Sequence, residues 1–275
     1  ETAIYNQNGH QLLKGNFYFD NNIRLLQDSP YHVYLYENQN QKKMNEQFQG
    51  WVTSEKASAS VRFFWQMYPK SLEADDSEIR IGLLPKISQV KDSFMPAQQI
   101  TDCYKFGEGE ARTHETMIIL HNRSSKSSDM WRVFAGFNNP IIPTAPWEWY
   151  VNSKTLGDLT VRDYDNFPKF EQFVDDSLSM VLKRREKLCS YGDRNFGDDQ
   201  MGTPGLWNNC EYDYPHVGIL QFLRGADKKW YDCFTLPAAR HMLNIDFVNA
   251  GKNVGMIYQH CAWHNSSAPK LGSHS

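Results

Sequence analysis

The segment LWNNCEYDYPH, residues 206–216, places two amides, two acids, two tyrosines, a tryptophan and a histidine within eleven positions. Most of these groups can donate, accept or carry a proton. Pro215 then leads into the apolar run VGILQFL, so it suits a first helical turn with Asp213 or Tyr214 as the cap. The amides and carboxylates would sit above a helix N-terminus, where orphan N–H groups and the helix dipole favour an anion. The plainer reading is that Asn208, Asn209 and Asp213 only satisfy that helix end.

A second dense stretch, YGDRNFGDDQ at 191–200, holds Arg194 and Asp198 between glycines, and by itself reads as a solvated turn. Five of the nine histidines fall from His216 onward. His260 and His264 are four apart and would share a face of a helix, a spacing that suits metal binding, but no neighbouring acid completes an HExxH pattern. No metal is expected there; acid–base or substrate contact competes with ordinary packing. His241 lies on an apolar stripe and reads as a core histidine. Arg240 beside it projects elsewhere and could reach a carboxylate. His114, in GEGEARTHET, stands at the start of a strand and reads as structural.

These residues need a frame, and the 275-residue chain is long enough for one large domain or two ordinary ones. A net charge of −3 gives no electrostatic reason for a nucleic-acid or anionic-membrane partner, and no apolar run reaches the length of a membrane-spanning helix. The five cysteines lack CxxC spacing and are odd in number, so one at least is unpaired within the chain; free thiols are the expectation. Aromatic residues make up 14% of the chain, with eight tryptophans, which serves a large core or a surface on which sugar rings stack. The chain starts at Glu1 without a leader pattern, and a piece of a longer protein is expected.

Two periodicities divide the chain. Residues 1–140 read as β: GNFYFDNNIRLL with a hairpin turn at Asn21–Asn22, YHVYLYE, ASVRFFWQMYP, SEIRIGLLP, HETMIILHN and MWRVFAGF, with Asn122–Asp129 as an exposed hairpin loop. This predicts an antiparallel β-sandwich. The proline-rich NNPIIPTAPWEWYV is the linker. Residues 141–275 read as helical hairpins. Phe170, Phe173, Val174, Ser177, Val181 and Leu182 form one expected buried face, and Trp230, Phe234, Ala238, His241, Ile245 and Val248 another, with Pro237 as a kink or break. VGMIYQHCAWH is expected to be helical. The fold class is therefore α+β and multidomain: an antiparallel β-sandwich followed by part of an (α/α) toroid.

The blocks YGDRNFGDDQ, WNNCEYDYPHVGILQFLRGADKKWYD and AARHMLNIDFVN resemble the helical-toroid portion of the exo-acting rhamnogalacturonan lyases, the YetA-like polysaccharide lyase group. FFWQMYPKSLEADDSEIRIGLLP and GEGEARTHET look like the preceding β-rich region, so the resemblance spans residues 50–275. It departs from the pattern at Asn244 and Asn249, where an acid and a histidine are expected. The resemblance implies β-elimination on a galacturonate-containing polymer such as rhamnogalacturonan. That reaction needs a group to neutralise the carboxylate, a base for the C5 proton and an acid for the leaving O4. Asn208, Asn209 and Arg240 or Arg194 would hold the carboxylate. Tyr212 or Tyr214 with His216, His260 or His264 would form the base–acid pair, and Trp207 would stack on a sugar. An acidic polysaccharide or oligosaccharide is thus the implied partner; whether Ca2+ assists is open from sequence. Secretion or a periplasm is expected, with uptake and cytoplasmic cleavage as the alternative. Two other readings compete: a toroid glycoside hydrolase using two of Asp198, Asp199, Glu211 and Asp213, and a non-catalytic carbohydrate-binding fragment.

Overall fold

The computed structural model describes residues 2–14, 22–37, 40–75, 77–86, 109–122, 127–200, 212–257, 259–260 and 273–274. The chain divides into two compact units. The first takes residues 2–86 and His114–Ile141; the second takes 109–113 and the residues from Ile142 on.

The first unit is sandwich-like. One antiparallel sheet has the order β10-β7-β6-β1-β2, with β1 Ala3–Tyr5, β2 Gln11–Lys14, β6 Trp51–Thr53, β7 Ala57–Val61 and β10 Thr116–Leu120. The other has the order β5-β4-β3-β8-β9, with β3 Ile23–Gln27, β4 Val33–Glu37, β5 Asn40–Met44, β8 Lys70–Ala74 and β9 Ile79–Gly82. Side chains alternate across a strand, so Ile4, Val52 and Ala59 from the first sheet meet Ile23, Leu25, Val33, Leu35 and Leu72 from the second in one apolar core. On β3 the intervening Arg24 lies opposite Glu73 and Tyr36; it pairs with the carboxylate at 3.0 Å and sits over the ring at 5.6 Å. Asn21 lies outside the described residues, as do residues 123–126 of the expected Asn122–Asp129 loop, whose last three residues instead begin a helix.

One expected strand is a helix. MWRVFAGF lies in α1, Ser127–Asn138. Trp and Val favour a strand, but Trp131 and Phe134 are three apart and meet the first sheet from one helical face. Phe134 is buried against Trp51, ring centroids 5.4 Å apart, and Trp51 stacks in turn on Tyr5. The Trp131 indole N–H donates to the Gln7 carbonyl at 2.8 Å. Phe134→Ala is expected to destabilise the first unit by about 3–5 kcal/mol, the range for emptying a buried aromatic site. A smaller shift in thermal midpoint than that of a surface Val133→Ala control would contradict this anchoring role.

The second unit is helical, with α2 Trp147–Ser153, α3 Pro168–Lys187, α4 Tyr214–Leu223 and α5 Leu236–His241. The linker prolines Pro140 and Pro143 lie in irregular chain, and Pro146 caps α2. Pro168 occupies the first turn of α3, and Arg184, Arg185 and Lys187 its last, where cations complement the helix dipole. The buried face of α3 is turned from the expected one. Glu171, Val174, Leu178, Val181 and Arg185 are inside, while Phe170 and Phe173 are 50% and 66% exposed. A reading that places apolar residues inward passes over Glu171, which is buried because two arginines enclose it. Arg162 Nε donates to its Oε2 at 3.0 Å, and Arg224 pairs with its Oε1.

The stripe Trp230, Phe234, Ala238, His241, Ile245 and Val248 is buried throughout. Pro237 does not break the helix that carries it. Residues Trp230–Thr235 and Met242–Asp246 form π turns on either side of α5, and the rod continues through all three. Beyond it the expected helix at VGMIYQHCAWH is not formed over its described part. Gly251 and Gly255 take positive φ, Phe247 bridges antiparallel to Ile257, and Gln259–His260 is a short strand paired with Ser273–His274. Glycines in the left-handed region end helical continuation at low steric cost.

Candidate functional site

The Tyr191–Gln200 loop is not a solvated turn. Tyr191, Phe196, Asp198, Asp199 and Gln200 are buried, with Tyr191 and Phe196 stacked at 6.0 Å. Gly192 and Gly197 supply the positive φ angles that fold the loop back on itself. Its two aspartates face different partners. Arg184 grips the Asp199 carboxylate through Nε at 3.2 Å and through a second, shorter contact. The Tyr214 hydroxyl donates to Asp199 Oδ2 at 3.1 Å. Asp198 instead lies against His241, with Oδ2 3.3 Å from Nε2, and Asp246 Oδ1 is 3.5 Å from the same nitrogen.

His241 is fully enclosed. Burial alone would favour the neutral ring, but the attraction of Asp246 and Asp198 outweighs it and raises the imidazole to about 10. It is therefore an imidazolium between two carboxylates at neutral pH. In an ordinary α-helix, residues five apart point to divergent sides; the π turn from Met242, closed by the Phe247 N–H on the Met242 carbonyl at 3.0 Å, brings Asp246 back to His241. No reading at a 3.6-residue period pairs them.

Towards the surface, α4 begins at Asp213, whose backbone is left-handed and whose side chain does not cap the helix. That carboxylate lies 3.7 Å from His216 Nδ1, and both groups are more than half exposed. Tyr212 is exposed and its ring stacks on Tyr214 at 6.1 Å. Tyr214 is the more enclosed member of this pair, half-buried against the helical core. Burial, and then Asp199, push its phenol well above the ordinary tyrosine value, so it holds its proton and is a poor base. Tyr212, Asp213, Tyr214 and His216 are thus brought together at one helix start, while Tyr214 is turned inward as a support.

The expected carboxylate holders are placed differently. Arg194 donates to Glu110 Oε1 at 2.7 Å and is largely buried. Glu110 also meets Arg112, which bonds Asp193 through Nε at 2.5 Å. Arg194 therefore belongs to an internal ion-pair cluster that ties residues 110–112 to the loop. Arg240 reaches the Thr113 carbonyl at 3.5 Å. Asn244, at one of the two departures from the lyase pattern, accepts from the Thr113 hydroxyl at 2.9 Å, and its carbonyl accepts from the Ala111 N–H at 2.8 Å. Asn249 donates to the Leu243 and Phe247 carbonyls. Both asparagines do structural work in this chain. Trp207, Asn208, Asn209 and His264 lie outside the described residues, as does Glu211, and His260 is on the short strand.

Asp198 and Asp199, two of the carboxylates a glycoside hydrolase would need, are buried and engaged by His241, Arg184 and Tyr214. Cys189 and Cys233 are not joined in a disulfide. Among the described residues no cluster has the composition of a metal site, and no helix is long and apolar enough to cross a membrane. Searches against known protein families and against curated proteins gave no match.

Proposed function

We propose that this chain is part of an exo-acting rhamnogalacturonan lyase, its helical unit one section of an (α/α) toroid, acting on galacturonate polymers outside the cell or in a periplasm. The observation that carries the reading is the exposed Tyr212–Asp213–His216 group at the start of α4, held from behind by Tyr214, Asp199 and Arg184. Proton transfer needs accessible groups on a rigid backing, and this surface has both.

In the proposed reaction a base takes the C5 proton, the C5–H electron pair becomes the C4=C5 double bond, and the C4–O4 bond breaks as O4 gains a proton. Tyr212 and His216 divide the two proton transfers, and Asp213 orients the imidazole. Arg240, with Asn208 and Asn209, neutralises the uronate carboxylate, and Trp207 stacks on a neighbouring sugar.

Digestion of rhamnogalacturonan should yield the ultraviolet absorbance of a conjugated unsaturated uronate. His216→Asn and Tyr212→Phe should each slow its appearance by roughly 10²–10⁴-fold, the usual contribution of one acid–base group. Both side chains are exposed, so thermal midpoints should hold. New reducing ends without that absorbance would refute elimination.

A further inference from the structure

The surface group at α4 is connected to the interior by a series of contacts, polar from His241 to Tyr214 and a ring stack from Tyr214 to Tyr212. His241 Nε2 faces Asp198 Oδ2, while Asp198 Oδ1 accepts the N–H of Asp199 at 2.8 Å. The Asp199 carboxylate takes Arg184 and the Tyr214 hydroxyl, and the Tyr214 ring backs Tyr212. Asp198 thus spends one oxygen on the histidine and the other on the backbone that aims Asp199. The same His241 Nε2 also faces Asp246, which comes from the following π turn.

We propose that His241 is a positioning residue for the Tyr212–His216 surface: bridging Asp198 and Asp246, it locks the Tyr191–Gln200 loop and, through Asp199, sets the place of Tyr214 and of the exposed ring stacked on it. Its effect on turnover rests on the reading of that surface as the lyase site; the mechanical coupling does not. The lock is an ionic one. Asp198 faces it from the loop and Asp246 from its own helix. From α3, Arg184 meets the neighbouring Asp199, and the buried Arg185 lies over Phe196 and in the field of both Asp198 and Asp199.

The sign of the pH dependence follows. The folded-state value of about 10 lies above the unfolded 6.5, so the lock contributes fully below about pH 6.5 and is lost as pH rises through 10.

A double-mutant cycle on the full chain tests the connection, read as urea midpoints of the helical signal. His241→Phe and Tyr214→Phe should be non-additive, the double variant losing no more than about two-thirds of the summed shifts, because both act through the Asp198–Asp199 link. Tyr231→Phe, whose ring packs on Phe222 away from the chain of contacts, should add in full to His241→Phe. Additivity with Tyr214→Phe overturns the proposal. If His241→Phe fails to fold, Asp246→Asn replaces it in the same cycle with the same two outcomes. The wild type should lose urea resistance between about pH 6.5 and 10 beyond what the His241 variant or Asp246→Asn loses; parallel profiles overturn the ionic lock. On the unsaturated-uronate assay, Asp246→Asn should lower kcat several-fold with KM little changed. Absence of elimination by the wild type refutes the lyase reading and leaves the cycle to decide the coupling.

Discussion

Glu171→Ala is expected to cost the helical unit about 3–5 kcal/mol, seen as a fall in urea midpoint or the absence of its helical transition. The carboxylate is the meeting point of three chain segments. Arg162 donates to Oε2 and, through Nη2, to the Glu171 carbonyl at 2.9 Å; Arg224 pairs with Oε1; and the Asp163 N–H reaches Oε1 at 3.3 Å. Arg224 also bonds the Thr160 carbonyl at 2.8 Å, and the Arg224 carbonyl accepts the Arg162 N–H at 3.0 Å. Removing Glu171 leaves two guanidinium groups, each less than a tenth exposed, without their shared counter-charge. Deleting one member of a buried ionic group is costly because desolvation of the remaining members is no longer compensated. Asp175→Asn is the control. That carboxylate pairs with Arg162 at 2.7 Å but is 38% exposed, so its loss should stay within about 1 kcal/mol. Equal effects at the two positions would show that Glu171 is not the organising charge.

Gly197→Ala is expected to be as damaging, at more than about 3 kcal/mol, through two additive causes. Gly197 has φ +109°, where a side chain is strained, and a Cβ there would stand 2.0 Å from the Pro237 carbonyl oxygen and 3.0 Å from the His241 Cβ. Neither neighbour is the end of a flexible side chain. The loop must therefore lift from the helical rod, carrying Asp198 from His241 and Asp199 from Tyr214. Gly157→Ala isolates the backbone contribution: its φ is +78°, with nothing within 4 Å of the added carbon, so about 1 kcal/mol is expected. If Gly197→Ala were no worse than Gly157→Ala, close packing of loop on helix would not hold the site together. On the proposed lyase function, a greater loss in Gly197→Ala should be accompanied by loss of elimination on galacturonate polymer.

Much of the fold was legible because burial follows period. Aromatic and β-branched content marked NNIRLL and YHVYLYE as strands, which the structure pairs antiparallel, and the stripe from Trp230 to Val248 was buried at every position read from its spacing. The misreadings share a cause. MWRVFAGF has strand-forming residues but is held as a helix by Phe134 on Trp51, a contact with residues more than seventy positions away. The α3 face was turned because Glu171 and Arg185, polar by type, are inside, and Phe170 and Phe173, apolar by type, are not.

The sequence alone determined the division into β and helical periods, the helix start at Pro215 and the crowding of proton-carrying groups before it, since local steric preference and side-chain spacing are properties of short stretches. Tertiary structure decided which of those groups face inward. Asp198 and Asp199 are buried, Tyr214 is half-buried, and Tyr212, Asp213 and His216 are exposed, although their types do not separate them. A charge can be buried only where its counter-charge is also brought, and the partners Arg184, His241 and Asp246 arrive from other elements and, for Asp246, by a π turn no helical period predicts.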